Sequence, residues 1–257
     1  RAQLAGWRFA YLHDLVCPAE LPVSMSAFRT QQARWVKGSA QTARKLVPRV
    51  LRAPGLSLVQ RASALLHLLN NGAYVLMAAL AALLPAAVVV RDQAGWRVPG
   101  GQALLSNLDF VSLAAGTAAM LSFYAVGLGR CRAGSRPLDL VWALCIGAGL
   151  SVANARHWVE GLFGTAGGEF VRTPKRGGSP VRRYRARVPV HPFALEVAFF
   201  VYHGAAVAYA LYWHLWGALP FLLIYFLGFG AMSAGGIRDR VAQLFTPEPE
   251  LKTRTTA

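Results

Sequence analysis

Gln31-Gln32-Ala33-Arg34-Trp35 reads Q-x-x-R-W and stands in a polar, basic segment just ahead of a long series of membrane-hydrophobic stretches. On a helix, Gln31, Arg34 and Trp35 share one face, so an amide, a guanidinium and an indole project together. The guanidinium is a planar fork matched to phosphate oxygens. The indole is a flat apolar platform for the C–H face of a sugar ring, with one N–H donor at its edge. Together the three suit a sugar attached to a diphosphate. The same residues also suit an amphipathic helix whose Trp anchors at the lipid interface.

Composition sets the class of the rest. The chain has 257 residues, of which 55% are hydrophobic, as expected of a multi-pass membrane protein. Its 27 Lys and Arg against 11 Asp and Glu leave a net charge of +16. The apolar runs argue against a nucleic-acid partner and for basic loops beneath an anionic cytosolic leaflet. Cys17, Cys131 and Cys145 are scattered, with neither metal-ligand spacing nor a disulfide framework.

The chain then divides into a short cytosolic part and a long apolar part. Residues 1–23 read as a helix end followed by a loop punctuated by Pro18 and Pro22. Ser24 or Ser26 is placed to cap a helix that carries the pentad and continues through Lys37, Arg44 and Lys45. Pro48 and Pro54 are expected to kink or end it. Its basic face suits the cytosolic membrane surface. Five apolar stretches follow, at 62–90, 106–129, 138–155, 193–213 and 219–236. Polar and aromatic groups stand within them: His67, Asn70 and Asn71 early in the first, and Tyr202, His203, Tyr209, Tyr212 and Trp213 along the fourth. Such groups face a bundle interior or an aqueous path, or anchor helix ends at headgroups.

Gly6-Trp7 through Pro18-Ala19-Glu20-Leu21-Pro22, then the pentad, then Phe170-Val171-Arg172-Thr173-Pro174-Lys175, occur in that order. Over essentially its whole length the chain resembles the C-terminal membrane part of processive-type family 2 glycosyltransferases, the cellulose synthase and mannan synthase relatives. That resemblance implies inverting transfer from a nucleoside-diphosphate sugar to a glycan acceptor, at the cytosolic face of the plasma (bacterial inner) membrane. It implies substrate-binding roles for Gln31, Arg34 and Trp35. It also implies that Phe170, Thr173 and Lys175 belong to a gating-type loop over residues 167–178. Gly167-Gly168 and Gly177-Gly178 are candidate hinges for it. Arg172 and Pro174 depart from the cellulose synthase pattern, so the donor sugar does not carry over. A basic juxtamembrane loop that binds lipid headgroups is the competing reading of the same segment.

In such enzymes the catalytic base and the aspartates that hold a divalent metal, Mg or Mn, precede the segment seen here. Among the eleven carboxylates of this chain there is no Asp-x-Asp or Glu-Asp pair. The expectation is therefore that base and metal ligands lie ahead of Arg1, and that these residues alone are inactive.

Topology follows from placing both motifs on one side. An even number of crossings must then separate the pentad from Thr173, so one of the three intervening stretches does not cross. The third is the natural choice: it is short before charge begins, holds Asp139 near its start and ends with Arg156 and Glu160 at i,i+4. Placing it at the interface leaves only Arg91 and Arg97 outside, and keeps the seven Lys and Arg of residues 172–187 in the cytosol. The expected fold is all-α, with four transmembrane helices (62–90, 106–129, 193–213, 219–236) and amphipathic cytosolic interface helices, one of them at 138–163. Residues 1–61 would end the glycosyltransferase domain and 62–257 form the transmembrane domain. A non-catalytic channel, transporter-like protein or lipid-binding scaffold subunit is the rival class. It would spread polar residues over all spans and have no use for the pentad.

Overall fold

The structure, a computed structural model, describes residues 2–12, 15, 17, 19–22, 24–94, 101–130, 136–164 and 190–244; for 94, 101–109, 130, 190–192, 243 and 244 it describes the backbone only. Among the described residues every regular element is helical. In chain order these are α1 (Met25–Arg52), α2 (Leu58–Leu69), α3 (Ala73–Ala94), α4 (Gly101–Arg130), α5 (Pro137–Gly149), α6 (Ser151–Phe163), α7 (Val190–Tyr212) and α8 (Leu219–Leu244). Short 3-10 turns occupy Gln3–Ala5 and Asn70–Gly72.

Local signals account for the start and end of α1. Ser24 is its N-cap, and its hydroxyl accepts from the Ala27 N–H at 3.2 Å, satisfying one of the first-turn donors. Pro48 lies inside α1 and does not end it. Helix termination waits for Pro54, whose ring disfavours helical backbone at the residue before it, and Ala53 is accordingly extended. Ser57 and Gln60 then form a reciprocal capping box at the start of α2.

Four segments are long and apolar enough to cross a membrane: Leu58–Gln93, Phe110–Gly129, Phe193–Tyr212 and Leu219–Ala242. The first combines α2, the 3-10 turn and α3. At 36 residues it is about 54 Å long and exceeds a hydrocarbon core of ~30 Å. The bundle core is built from α3, α5, α7 and α8, through Ala81, Leu84, Ala148, Ala206, Ala210, Phe221, Leu222, Tyr225 and Phe229. Helix α4 lies at the edge of this core and reaches it through Leu113 and Ala114. None of the described side chains between Phe110 and Gly129 is buried, and Phe110 meets Phe221 edge-on at 6.1 Å.

The region 138–163 differs from the single helix expected. It is two helices, α5 and α6, bent by 51° at Leu150. Singly each is too short to cross; together the pair passes the same length and composition test as the spans. The bend has a packing cause. Gly149 and Gly228 abut backbone to backbone, and Cys145, Ala148, Gly149, Leu150 and Ser151 are buried around that contact.

Candidate functional site

Helix α1 carries the pentad and packs through one stripe. Val36, Ala40 and Ala43 are buried against Trp158 of α6, with Val47, Leu68, Tyr74 and Leu162 around them. Gly161 has no space for a side chain: a Cβ there would lie 2.6 Å from the Ala40 Cβ and 2.6 Å from the Lys37 carbonyl oxygen. With that face turned inward, the pentad lies off the packed stripe. Gln31 and Arg34 are half-buried, while Trp35 is 57% exposed despite its size. An indole so exposed on a rigid helix is available to stack on a ligand.

Polar bonds tie both flanks of the pentad to α6, α7 and α8. On its C-terminal side, Arg44 donates to the carbonyls of Leu162 and Gly164, each at 3.0 Å, and so holds the end of α6. Lys37 lies 3.9 Å from Glu160, whose carboxylate also accepts from Arg156 at 2.8 Å and faces His157 Nδ1 at 3.3 Å. Burial raises the Glu160 carboxyl, but the hydrogen bonds and charges of Arg156 and His157 outweigh it and hold the group below its ordinary value. Burial pulls His157 below the usual imidazole value, only partly opposed by Glu160. Asn71 donates to the Ser39 hydroxyl at 2.8 Å, joining α1 to the turn before α3.

On the N-terminal side, Arg29 forms a buried ion pair with Glu196 of α7 at 2.5 Å and also donates to the Met232 carbonyl of α8. The Asp239 carboxylate accepts from the Ser26 N–H at 2.7 Å. Burial lowers the Arg29 guanidinium from its ordinary value, against the opposing charges of Glu196 and Asp239. Sequence reading missed Arg29, Glu196 and Asp239. A usable signal was present: Glu196 is a single carboxylate in an apolar run, and such a group requires a partner.

Phe170, Thr173 and Lys175, with the whole of 167–178, lie outside the described residues. The helix ends on either side of that segment do not: α6 is held by Arg44 and α7 by Arg29, so both meet the pentad helix. The aromatic series of the fourth apolar stretch divides into separate settings. His203 is fully buried and stacks on Tyr225 at 5.3 Å, with Nδ1 2.9 Å from the Phe199 carbonyl. The hydroxyls of Tyr202 and Tyr209 bond to Ala82 and Asp92 of α3. Tyr212 and Trp213 are exposed at the helix end, as interfacial anchors are. His67 and Asn70 are exposed, and only Asn71 of that early cluster has the α1 contact given above. Among the described residues no three His, Cys, Asp or Glu side chains converge on a place for a metal ion.

Comparison with known proteins finds partial likeness. The chain is 45% identical over 58 residues to glucomannan 4-beta-mannosyltransferase 7 of Arabidopsis thaliana, covering 23% of this chain and 10% of that protein. It is 50% identical over 52 residues to glucomannan 4-beta-mannosyltransferase 2 of the same plant, 20% of this chain and 10% of the relative. With a probable glucomannan 4-beta-mannosyltransferase 4 of Oryza sativa subsp. japonica it shares 37% over 75 residues, 29% of this chain and 13% of the relative. The chain thus matches about a tenth of the length of these relatives. No protein-family profile matches it. No solved structure matches it either. Each of these similarities to glucomannan mannosyltransferases covers less than a third of this chain.

Proposed function

We propose that this chain is the membrane portion of an inverting glycosyltransferase of polysaccharide synthesis, working on a nucleoside-diphosphate sugar and a glycan acceptor at the cytosolic membrane face. The observation that carries the reading is the pentad itself: a helix clamped at both flanks to the membrane bundle, with Trp35 left 57% exposed beside Arg34 and Gln31. The partial likeness to mannosyltransferases supports the same reaction class.

Sugar transfer needs neutralisation of the leaving diphosphate, a platform for the acceptor, exclusion of water and a base. Arg34 is assigned the diphosphate oxygens, Trp35 the apolar face of the acceptor sugar, and Gln31 a hydroxyl or phosphate oxygen nearby. Phe170, Thr173 and Lys175 are assigned to a loop that covers the nucleotide and excludes water. With no Asp-x-Asp or Glu-Asp pair in the sequence, the base and the ligands of a divalent metal are assigned to residues outside these 257. A metal so held would supply charge neutralisation at the diphosphate.

For topology we assign four crossings, with α5 and α6 entering and leaving on the cytosolic side. Supporting this, the end of α6 is bonded to the pentad helix by Arg44, and the arrangement keeps the basic segment 172–187 in the cytosol. The test is donor-dependent incorporation of sugar into polymer by the full-length protein in membrane vesicles, with Arg34 and Trp35 variants compared. Wild-type incorporation by both variants would reduce the pentad to a structural feature of α1.

A further inference from the structure

Three helix ends meet one turn ahead of the pentad. The start of α1 contributes Ser26 and Arg29, the start of α7 contributes Phe193 and Glu196, and α8 contributes Met232 at its middle and Asp239 and Arg240 near its end. The Arg240 guanidinium lies 4.3 Å over the Phe193 ring. Gly235 and Gly236 allow the close approach: a Cβ on the first would lie 2.8 Å from the Met25 Cβ, and on the second 2.8 Å from the Phe193 ring. The ion pair at the centre is closed to solvent, with side-chain exposures of 12% for Arg29 and 2% for Glu196.

Position on the helix gives this junction its consequence. Arg29 falls on the same stripe as Val36, Ala40 and Ala43, at i, i+7, i+11 and i+14, and so on the buried face. Gln31, two residues on, points about 200° away. Whatever holds Arg29 inward therefore sets the direction in which Gln31, Arg34 and Trp35 point. A 20° turn of α1 moves a side-chain tip about 2 Å at a helix radius of 5–6 Å, and a misplacement of about 1 Å at a reacting centre costs on the order of a hundredfold in rate.

The geometry points to Arg29, Glu196 and Asp239 as positioning residues: they fix the rotation and height of the pentad helix against the ends of α7 and α8. Asp239 holds the helix along its axis through the Ser26 N–H, and Arg29 holds it in rotation by bonding two helices at once. This rests on the function proposed above for the pentad. In this assignment all three act through the pentad helix and not on the substrate itself.

The distinguishing variant is the neutral pair Arg29→Gln/Glu196→Gln. Glu196→Gln alone strands a buried guanidinium and is expected to lower the unfolding temperature. The double variant removes both charges of the pair while Asp239 keeps its bond from the Ser26 N–H, so most of the unfolding temperature should recover. If the pair served stability alone, activity would recover with it. As a positioning device it should not: turnover at saturating donor stays down by about tenfold or more. An arm independent of activity uses spin labels at Thr42→Cys on α1 and Leu211→Cys on α7, in the full-length protein with its other cysteines replaced. A narrow distance distribution is expected with the native pair and a broadened or shifted one in the double variant. Either an unchanged distribution or full turnover in the double variant overturns the proposal. Absence of donor-dependent product from the parent protein would instead overturn the proposed function, and the distance measurement alone would then decide the positioning role.

Discussion

Gly149 and Gly228 meet so closely that a Cβ built on Gly149 would lie 2.3 Å from the Gly228 carbonyl oxygen, and one on Gly228 would lie 2.1 Å from the Cys145 carbonyl oxygen. Both clashes are with backbone, which side-chain rotation cannot relieve. The bend between α5 and α6 is seated there, so the contact decides how α6, and through it α1, sits on the bundle.

Gly228→Ala should therefore force α5 away from α8 and lower stability by about 1–3 kcal/mol, or abolish folding. Gly147→Ala is the control, since a Cβ at Gly147 meets nothing within 4 Å. It should be neutral or slightly stabilising, as alanine is favoured over glycine in a helix interior. Thermal unfolding of the detergent-purified protein compares the two, and equal losses would refute the packing argument.

Trp35→Ala in the full-length protein should cost about 1–3 kcal/mol of acceptor or transition-state binding through lost ring stacking. Arg34→Lys should also slow turnover, because a point charge does not replace a bidentate fork. Initial rates over a range of donor concentrations measure both. Trp35→Phe, which keeps an aromatic face, should retain more activity than the alanine variant.

Acidification should loosen the docking of α6. Burial lowers the folded-state pKa of His157 below 6.5, so as pH falls through that value the unfolded chain gains a proton that the folded one resists, and stability declines. Glu160 has a folded value below 4.5, so its contribution persists above that pH and is lost only as pH falls through the folded value. Between pH 7.5 and 5.5 the histidine acts and the glutamate does not. The wild-type protein should lose more thermal stability over that interval than His157→Gln. Identical losses would remove His157 as the cause.

Ser179→Cys, in a background without Cys17, Cys131 and Cys145, should react with a membrane-impermeant thiol reagent only from the cytosolic face of sealed vesicles. Labelling solely from outside would make the α5–α6 pair a fifth crossing. It would also separate Thr173 from the pentad, and with it the loop's proposed role.

Much of the helical layout was legible in the residues. Four of the five apolar stretches correspond to the four long apolar segments, because a bilayer-length apolar run is a local property. The Ser24 cap and the break after Arg52 follow from chemistry within a few residues. The site was legible in part: that Gln31, Arg34 and Trp35 share a helix follows from their spacing, whereas the setting of each aromatic on α7 does not. His203 and Tyr212 have the same apolar neighbourhood in sequence, yet one is fully buried and the other 74% exposed.

The sequence by itself determined which segments carry helix, narrowed the start of α1 to Ser24 or Ser26 and its end to Pro48 or Pro54, and set an amide, a fork and an indole together on it, since period, propensity and capping are settled over a few residues. Tertiary structure alone decided the bend at Leu150, the edge position of α4, and the pairing of Arg29 with Glu196 across 167 residues. These depend on which surfaces meet. A glycine's missing side chain matters only when another backbone fills the space, and a buried charge finds its partner by proximity in the fold, a relation that no local pattern encodes.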